Sequence, residues 1–182
     1  IETESSIQNQ SQDRDLKIAL KNKEILLAKK NICWIRENTG VHIHADLIAG
    51  LPGEDYASFA KGFDLLYHTG VQEIQLGILK RLKGSPLARV SDELSLQFSS
   101  QAPYEILQSK EMSFSQLVRL SRMARYWDRV VNSGNFAKSA KILCENNSNL
   151  GVFENFMCFS DWVFEQCQTS LSISLTRWVA LL

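Results

Sequence analysis

Polar and apolar residues alternate along positions 41–49, directly before a turn that contains two glycines and a proline. One face of the predicted strand is largely polar and consists of His42, His44, Asp46 and Ile48. The opposite face is apolar and consists of Ile43, Ala45, Leu47 and Ala49. A period of two is that of a β-strand, and Asp55 beyond the turn is a typical N-cap. An ordinary β/α barrel strand carries Val, Ile or Leu on its inner face. The polar face therefore indicates a barrel strand whose interior binds a ligand.

The flanking segments continue the alternation of strands and helices. Apolar residues recur every three or four positions over 13–38 and again after Asp55, which predicts two helices. Positions 1–8 and 72–80 predict two further strands. The small or polar face of the second of these consists of Gln75, Gly77 and Leu79. Short connections between strands and helices predict parallel strands. The predicted fold class is therefore α/β, with the second half of a partial (β/α) barrel followed by an all-helical C-terminal domain.

The pattern changes after Lys80. Positions 81–104 contain Gly84, Pro86 and Pro103 together with five Ser and two Gln, and we interpret them as an excursion over the barrel mouth. From Ser113 onward the periodicity is helical, with helices predicted from Ser113 and over 136–146, 152–168 and 171–182. The predicted organisation is a barrel half over 1–86, a linker over 87–112 and a helical domain over 113–182.

The composition argues against several classes of function. Twenty Lys and Arg balance twenty Asp and Glu, which argues against a partner bound through its phosphates, such as a nucleic acid. No apolar run reaches the ~18 residues that a membrane span needs, and no secretory signal begins the chain. We therefore expect a cytoplasmic protein with no membrane span. The four cysteines show no metal-binding spacing and are expected to be reduced thiols. The chain begins with Ile1, and we interpret it as a piece of a longer protein.

Several segments resemble one enzyme superfamily. Asp46-Leu47-Ile48-Ala49-Gly50-Leu51-Pro52-Gly53-Glu54 resembles the fifth-strand signature of radical S-adenosylmethionine (SAM) enzymes. The similarity is greatest to the branch with anaerobic coproporphyrinogen oxidase, the cobalamin-binding oxidoreductases and proteins like Mg-protoporphyrin monomethyl ester oxidative cyclase. Positions 4–8 are similar to the fourth-strand motif and positions 75–80 to the sixth strand. Positions 103–107 and 131–136 resemble a C-terminal domain of unknown function that radical SAM proteins with a cobalamin-binding domain carry.

This resemblance implies part of a SAM site, built from Glu4, Gln8, Lys21, Asp46, Ile48, Gly50, Leu79 and Lys80. Gln8 would lie near the methionine part of SAM, and Lys21 would stand in for an expected Arg. Asp46 would accept hydrogen bonds from the ribose hydroxyls, and Ile48 would pack on adenine. Gly50 would allow the tight turn at the end of the strand, while backbone groups near Leu79 and Lys80 would contact the adenine edge.

The resemblance also implies cofactors that this chain does not hold alone. The three-cysteine motif for the [4Fe–4S] cluster is expected before Ile1, in an N-terminal remainder that would also contribute to SAM binding and could carry cobalamin. Ser6 replaces the usual Gly of the fourth-strand motif. The parent protein is predicted to be an oxidoreductase or a methyltransferase-like enzyme with an unknown small-molecule substrate. The chain alone is expected to bind no cofactor, to be inactive, and to cover its open strand edges by forming a homodimer.

Other interpretations of the same residues stay open. His42 and His44 could bind a metal, or they could be polar residues of the barrel interior. Asp46 could instead bond the backbone amides of the 50–54 turn. The cations over 80–83 could bind an anionic substrate or belong to a solvated loop. The alternative to an enzyme is a non-catalytic interaction or assembly module built on a degenerate half-barrel. An unrelated βα hydrolase has no nucleophile elbow to support it.

Overall fold

The computed structural model describes residues 27–85, 87, 89, 91–92, 94–145 and 149–182. The predicted strand over 1–8, and with it Glu4, Ser6 and Gln8, lies outside the described residues, as does Lys21.

Four strands and six helices with described bounds follow one another in these residues, with a π-helical turn after the third of these helices. Leu87 and Arg89 are also helical. Helix α1 is described over 27–38. The strands are β1 (His44–Ala49), β2 (Glu73–Ile78), β3 (Gln97–Phe98) and β4 (Ile106–Gln108). The remaining helices are α2 (Tyr56–Tyr67), α3 (Phe114–Trp127), α4 (Ala137–Glu145), α5 (Val152–Cys167) and α6 (Leu175–Leu181), with the π-helical turn at Asp128–Asn132.

Strands β1 and β2 pair in parallel, and α2 connects them. Helix α2 begins where Asp55 accepts a hydrogen bond from the Ser58 amide at 2.7 Å, so that the side chain caps an otherwise unpaired amide. The pairing runs from His44 opposite Glu73 to Ala49 opposite Ile78. The predicted α/β class, with parallel strands followed by a helical region, is confirmed.

The segment predicted as an irregular excursion contains a short antiparallel pair. Strand β3 pairs with β4. Glu105, directly before β4, forms an antiparallel bridge with Lys80, which follows the end of β2. Strands of two and three residues are too short to show a period of two, and the sequence pattern therefore did not reveal them.

One hydrophobic core joins α2 and the helices of the C-terminal region. Helix α3 begins at Ser113, which forms a capping box with Gln116, as the sequence predicted for the start of this helix. The fully buried ring of Phe63 in α2 packs edge-on against Trp127 in α3 and against Phe153 in α5. Edge-to-face rings of this kind stabilise a core beyond the area that they bury. The predicted barrel part and helical part therefore share their interior.

In the part of the chain that the structure describes, the helices cover only one face of the β1–β2 pair. Ala49 and Ile74 lie in the core, with Leu47, Leu76 and Ile78 packed against it. Helix α3 packs against β2 on this side. No helix among the described residues is both long enough and apolar enough to cross a membrane.

Candidate functional site

The uncovered face of the β1–β2 pair carries the side chains that the sequence predicted to be functional. Side chains at paired positions of parallel strands point to the same side of the sheet. The register therefore places six residues on this face: His44, Asp46 and Ile48 from β1, opposite Glu73, Gln75 and Gly77 from β2. Strand β1 alternates between exposed and partly buried positions along this register. The predicted polar face is thus a continuous surface across two strands.

His44 lies between two carboxylates on this face. Its Nε2 is 2.8 Å from Asp46 Oδ1, and its Nδ1 is 3.1 Å from Glu73 Oε2. The hydrogen bond to Glu73, and then the one to Asp46, raises the pKa of His44 above its ordinary value of 6.5. A carboxylate can only accept, so both contacts are satisfied together only by the imidazolium, which donates from both nitrogens. His42 stands beside this group, with its Nε2 3.7 Å from Glu73 Oε2.

Asp46 keeps capacity for a further partner. Its side chain is 66% exposed. An ionised carboxylate offers roughly four lone-pair sites on its two oxygens, and His44 occupies one of them. Two hydroxyl groups on adjacent carbons could therefore donate to this carboxylate without displacing the histidine.

A small apolar surface adjoins Asp46 on the side of the strand ends. Ile48 is 43% exposed although it is aliphatic, and its partner across the register is Gly77. A Cβ at position 77 would lie 3.9 Å from Ile48 Cγ1. Because that Cβ is absent, the side of Ile48 that faces Gly77 is left uncovered on this exposed face.

The carboxyl ends of the two strands are fixed by close packing against the chain before α3. Gly50 has a φ of +90°, and a Cβ there would lie 2.7 Å from Ile106 Cγ2. The Leu79 amide donates to the Ala49 carbonyl at 2.9 Å, while the Leu79 carbonyl accepts from the Ile106 amide at 2.8 Å. The backbone of Leu79 is thus engaged in strand pairing. A contact between adenine and backbone groups near Leu79 and Lys80 stays a prediction.

The structure therefore brings together part of the predicted site. Asp46 and Ile48 share the open face, while Gly50, Leu79 and Lys80 lie at its carboxyl end. Glu73 was not among the predicted site residues. Glu73 alternates with Gln75 and Gly77 along the strand, and this pattern could have placed it on the same face. Its contact with His44 depends on the register of β1 against β2, which the sequence does not reveal.

The described residues contain no group of three or more His, Cys, Asp and Glu side chains arranged to hold a metal ion. The four cysteines, Cys33, Cys144, Cys158 and Cys167, are free thiols at separate positions. These residues do not fit an iron–sulfur cluster.

The C-terminal region matches a known family model. Residues 92–180 match the family described as "Protein of unknown function (DUF4080)". No curated protein matches the chain. The match confirms, at this coarser level, the predicted domain of unknown function at the C-terminal end.

The DUF4080 region packs against the covered side of the β1–β2 pair and against the carboxyl ends of its strands. It contains β3, β4 and helices α3 to α6. Asn132, in its π-helical turn, donates from Nδ2 to the Ile74 carbonyl in β2 at 3.0 Å. Ile106, in its β4, occupies the space that Gly50 leaves open. The described residues of this region therefore contact the covered face and the ends of the strands and contribute no side chain to the exposed β1–β2 face.

Proposed function

We propose that this chain is part of a radical SAM enzyme and that the open β1–β2 face binds the adenosyl part of SAM. The observation that carries the proposal is the arrangement of Asp46 and Ile48 on one exposed face, with Gly77 opposite Ile48. A carboxylate can accept hydrogen bonds from both hydroxyls of a ribose, and an exposed aliphatic side chain can pack against a purine ring. Both groups lie two residues apart on the same face of β1, so the ribose and the base of one nucleoside could contact them together.

The chain's own residues would bind and orient the nucleoside. Asp46 would accept hydrogen bonds from the ribose hydroxyls while His44 holds one of its oxygens. Ile48 would pack against adenine over the space beside Gly77. Gln8 and Glu4, with Lys21, would complete the site at the methionine end. When bound, SAM and an iron–sulfur cluster supply radical chemistry, and the protein supplies orientation.

The remaining parts of the enzyme would come from outside this chain. The cluster would be held by an N-terminal half-barrel, which would also cover the open face, and cobalamin is a second cofactor compatible with the DUF4080 region. The reaction would be an oxidation or a methyl transfer on a small molecule. Sequence upstream of Ile1 that contains three cysteines spaced by three and two residues would support this proposal.

The chain alone is expected to bind no complete cofactor, so the proposal is tested on it with nucleosides, which carry only the adenosyl part. Chemical shifts of ¹⁵N-labelled protein would be followed during titration with adenosine and with 2′,3′-dideoxyadenosine. We expect adenosine to bind about tenfold more tightly, because a site that pairs with a hydroxyl discriminates against a ligand that lacks it. Asp46→Asn should abolish this difference, whereas Glu165→Gln, an exposed change in α5, should preserve it.

Two results would count against the proposal. One is equal binding of the two nucleosides to the unaltered chain. The other is a preference for adenosine that Asp46→Asn leaves intact. In the full-length protein, anaerobic reconstitution should yield 5′-deoxyadenosine, and Asp46→Asn should reduce its formation mainly through weaker SAM binding.

A further inference from the structure

A groove opens beyond the carboxyl end of β2, separate from the face that carries Asp46. Its cavity volume is about 550 Å³. It is lined by Arg81, Leu82, Lys83, Gly84 and Tyr104. The chain is extended from Gln75 to Arg81, so at roughly 3.3 Å per residue the groove lies about 20 Å along the strand from the residue that pairs with Asp46. A group bound in the groove is therefore beyond the reach of the Asp46 carboxylate.

Local geometry fixes the two walls of the groove. The Arg81 amide donates to the Tyr104 carbonyl at 3.0 Å, which holds the walls together. The Ser85 amide donates to the Leu82 carbonyl at 3.1 Å, and Gly84 has a φ of +81°. A positive φ at the third position of a four-residue turn is the mark of a type II turn, which favours glycine there. Lys83 consequently stands at the corner of this turn.

The groove has an excess of positive charge. Its lining contains Arg81 and Lys83 and no acidic residue. The nearest acidic side chain along the chain, Glu105, lies 4.0 Å from Lys80 Nζ and is not part of the lining. Among the ion pairs of the described residues, none involves Arg81 or Lys83. Both cations are therefore available to a ligand.

We propose that this groove binds the anionic group, a carboxylate or a phosphate, of a substrate that also carries a planar ring. The Arg81 guanidinium presents a fork that matches either anion, and Lys83 adds a second charge. Tyr104, which is 45% exposed, offers a ring for stacking beside these cations. Ligands of parallel β/α barrels bind at the carboxyl ends of the strands, where this groove lies. Its assignment to the substrate rests on the function proposed above.

The test uses small anions and the whole chain. Phenyl phosphate and benzoate are the two probes, and inorganic phosphate reports on the anion without a ring. In ¹⁵N spectra, we expect the tighter probe to shift the amides of 81–85 and 104. Arg81→Gln with Lys83→Gln should weaken its binding by about tenfold or more. The matched control, Lys110→Gln with Arg177→Gln, removes two exposed cations elsewhere and should change the affinity by less than about twofold.

The role of the ring is tested separately. Tyr104→Leu keeps an apolar side chain but removes the aromatic ring, so it should reduce the advantage of the tighter probe over inorganic phosphate. Three results would each overturn the proposal. They are equal losses of affinity in the two double variants, chemical-shift changes scattered over other cationic surfaces, and no binding of either probe. Unfolding midpoints of the two double variants should match that of the unaltered chain, because the cations that are replaced are exposed.

These results are distinguishable from a failure of the SAM-site proposal. Asp46→Asn should remove the preference for adenosine and leave anion binding in the groove unchanged. Loss of anion binding in the double variant with intact nucleoside discrimination would place the two ligands at two sites. An effect of Asp46→Asn on anion binding would contradict the separation of the groove from the β1–β2 face.

Discussion

Helix α5 begins without a capping side chain of its own, and a residue from another helix takes that role. Its N-cap is Gly151, which makes no side-chain capping bond. The Phe153 amide instead donates to Asp64 Oδ1 of α2 at 2.7 Å, across 89 positions of sequence. A carboxylate at this place pairs with a free amide of the first turn and also faces the positive end of the helix dipole. Asp64 therefore couples α2 to α5.

The cost of removing this carboxylate follows from the contact. Replacing an N-cap by alanine costs about 0.5–2 kcal/mol, and a hydrogen bond to a charged group contributes about 1.5–3 kcal/mol. Asp64 is partly buried, so solvent screens the contact only in part. We expect Asp64→Ala to lower the free energy of unfolding by about 2 kcal/mol, within these two ranges.

Gly151 makes the prediction sharper, because the side chain of Asp64 occupies the space where its Cβ would stand. A Cβ at position 151 would lie 1.9 Å from Asp64 Oδ2 and 2.9 Å from its Cγ. Gly151→Ser must therefore displace the carboxylate and break its bond to Phe153. When Asp64→Ala has already removed the carboxylate, the same serine has room and can cap the helix locally. Gly151→Ser should thus destabilise the unaltered chain and stabilise the Asp64→Ala variant, by about 1 kcal/mol in each direction.

Urea denaturation of the two single variants and the double variant measures this reversal of sign. The slopes should stay equal, so that changes in midpoint report on stability alone. Glu165→Ala is the control, because it removes an acidic residue from the last turn of the same helix, where a negative charge is unfavourable. A serine at position 151 that changes stability equally in both backgrounds would show that Asp64 and Gly151 are uncoupled and would refute the reasoning.

Three further predictions concern other parts of the fold. The pKa of His44 in the folded chain lies above 6.5, so its contacts with the carboxylates stabilise the fold below that pH and lose their effect as the pH rises through the folded pKa. In an NMR titration, Glu73→Gln should lower the pKa of His44. An unchanged pKa would contradict the contact between His44 and Glu73. Gly50→Ala should lower the free energy of unfolding, measured by urea denaturation, by about 2–4 kcal/mol, since an alanine there would combine a positive φ with a clash against Ile106. A loss no larger than that of a substitution at an exposed position would be inconsistent with this packing. Asp161→Asn should lower the free energy of unfolding by about 1–3 kcal/mol in the same assay, because it removes a partly exposed carboxylate that Arg119 and Arg122 of α3 contact. An unchanged free energy of unfolding would show that the two arginines find other partners.

The elements that the sequence predicted are those with a long and regular pattern. The buried residues Phe59 and Phe63 of α2 belong to a stripe with a period of three to four, and Ser113 was recognisable as the cap of α3. Such signals are local, since one face of one helix carries them. They also placed Asp46 and Ile48 on the same face of β1, because alternation along a strand determines which side chains share a side.

Features that depend on contacts between distant segments were not predictable in the same way. The bond between Asp64 and Phe153 leaves no local trace except a glycine in a place where a serine is usual. The position of Glu73 beside His44 depends on the register of β1 against β2, which a single sequence does not fix. The short strands β3 and β4 are held by pairing with each other and by the Lys80–Glu105 bridge rather than by their own pattern.

The unequal faces of the β1–β2 pair give the strongest reason to seek a ligand there. Parallel strands are normally covered on both sides and apolar on both. Here one side packs into the core through Ala49 and Ile74, whereas the other bears two carboxylates and an imidazole beside an exposed isoleucine. Burying those carboxylates under apolar residues would be costly unless each found a hydrogen-bond partner. His44 already contacts both carboxylates, so a molecule that covers this face can add donors to the remaining lone pairs of Asp46 and an apolar surface to Ile48. A nucleoside supplies both, with its ribose hydroxyls and its base.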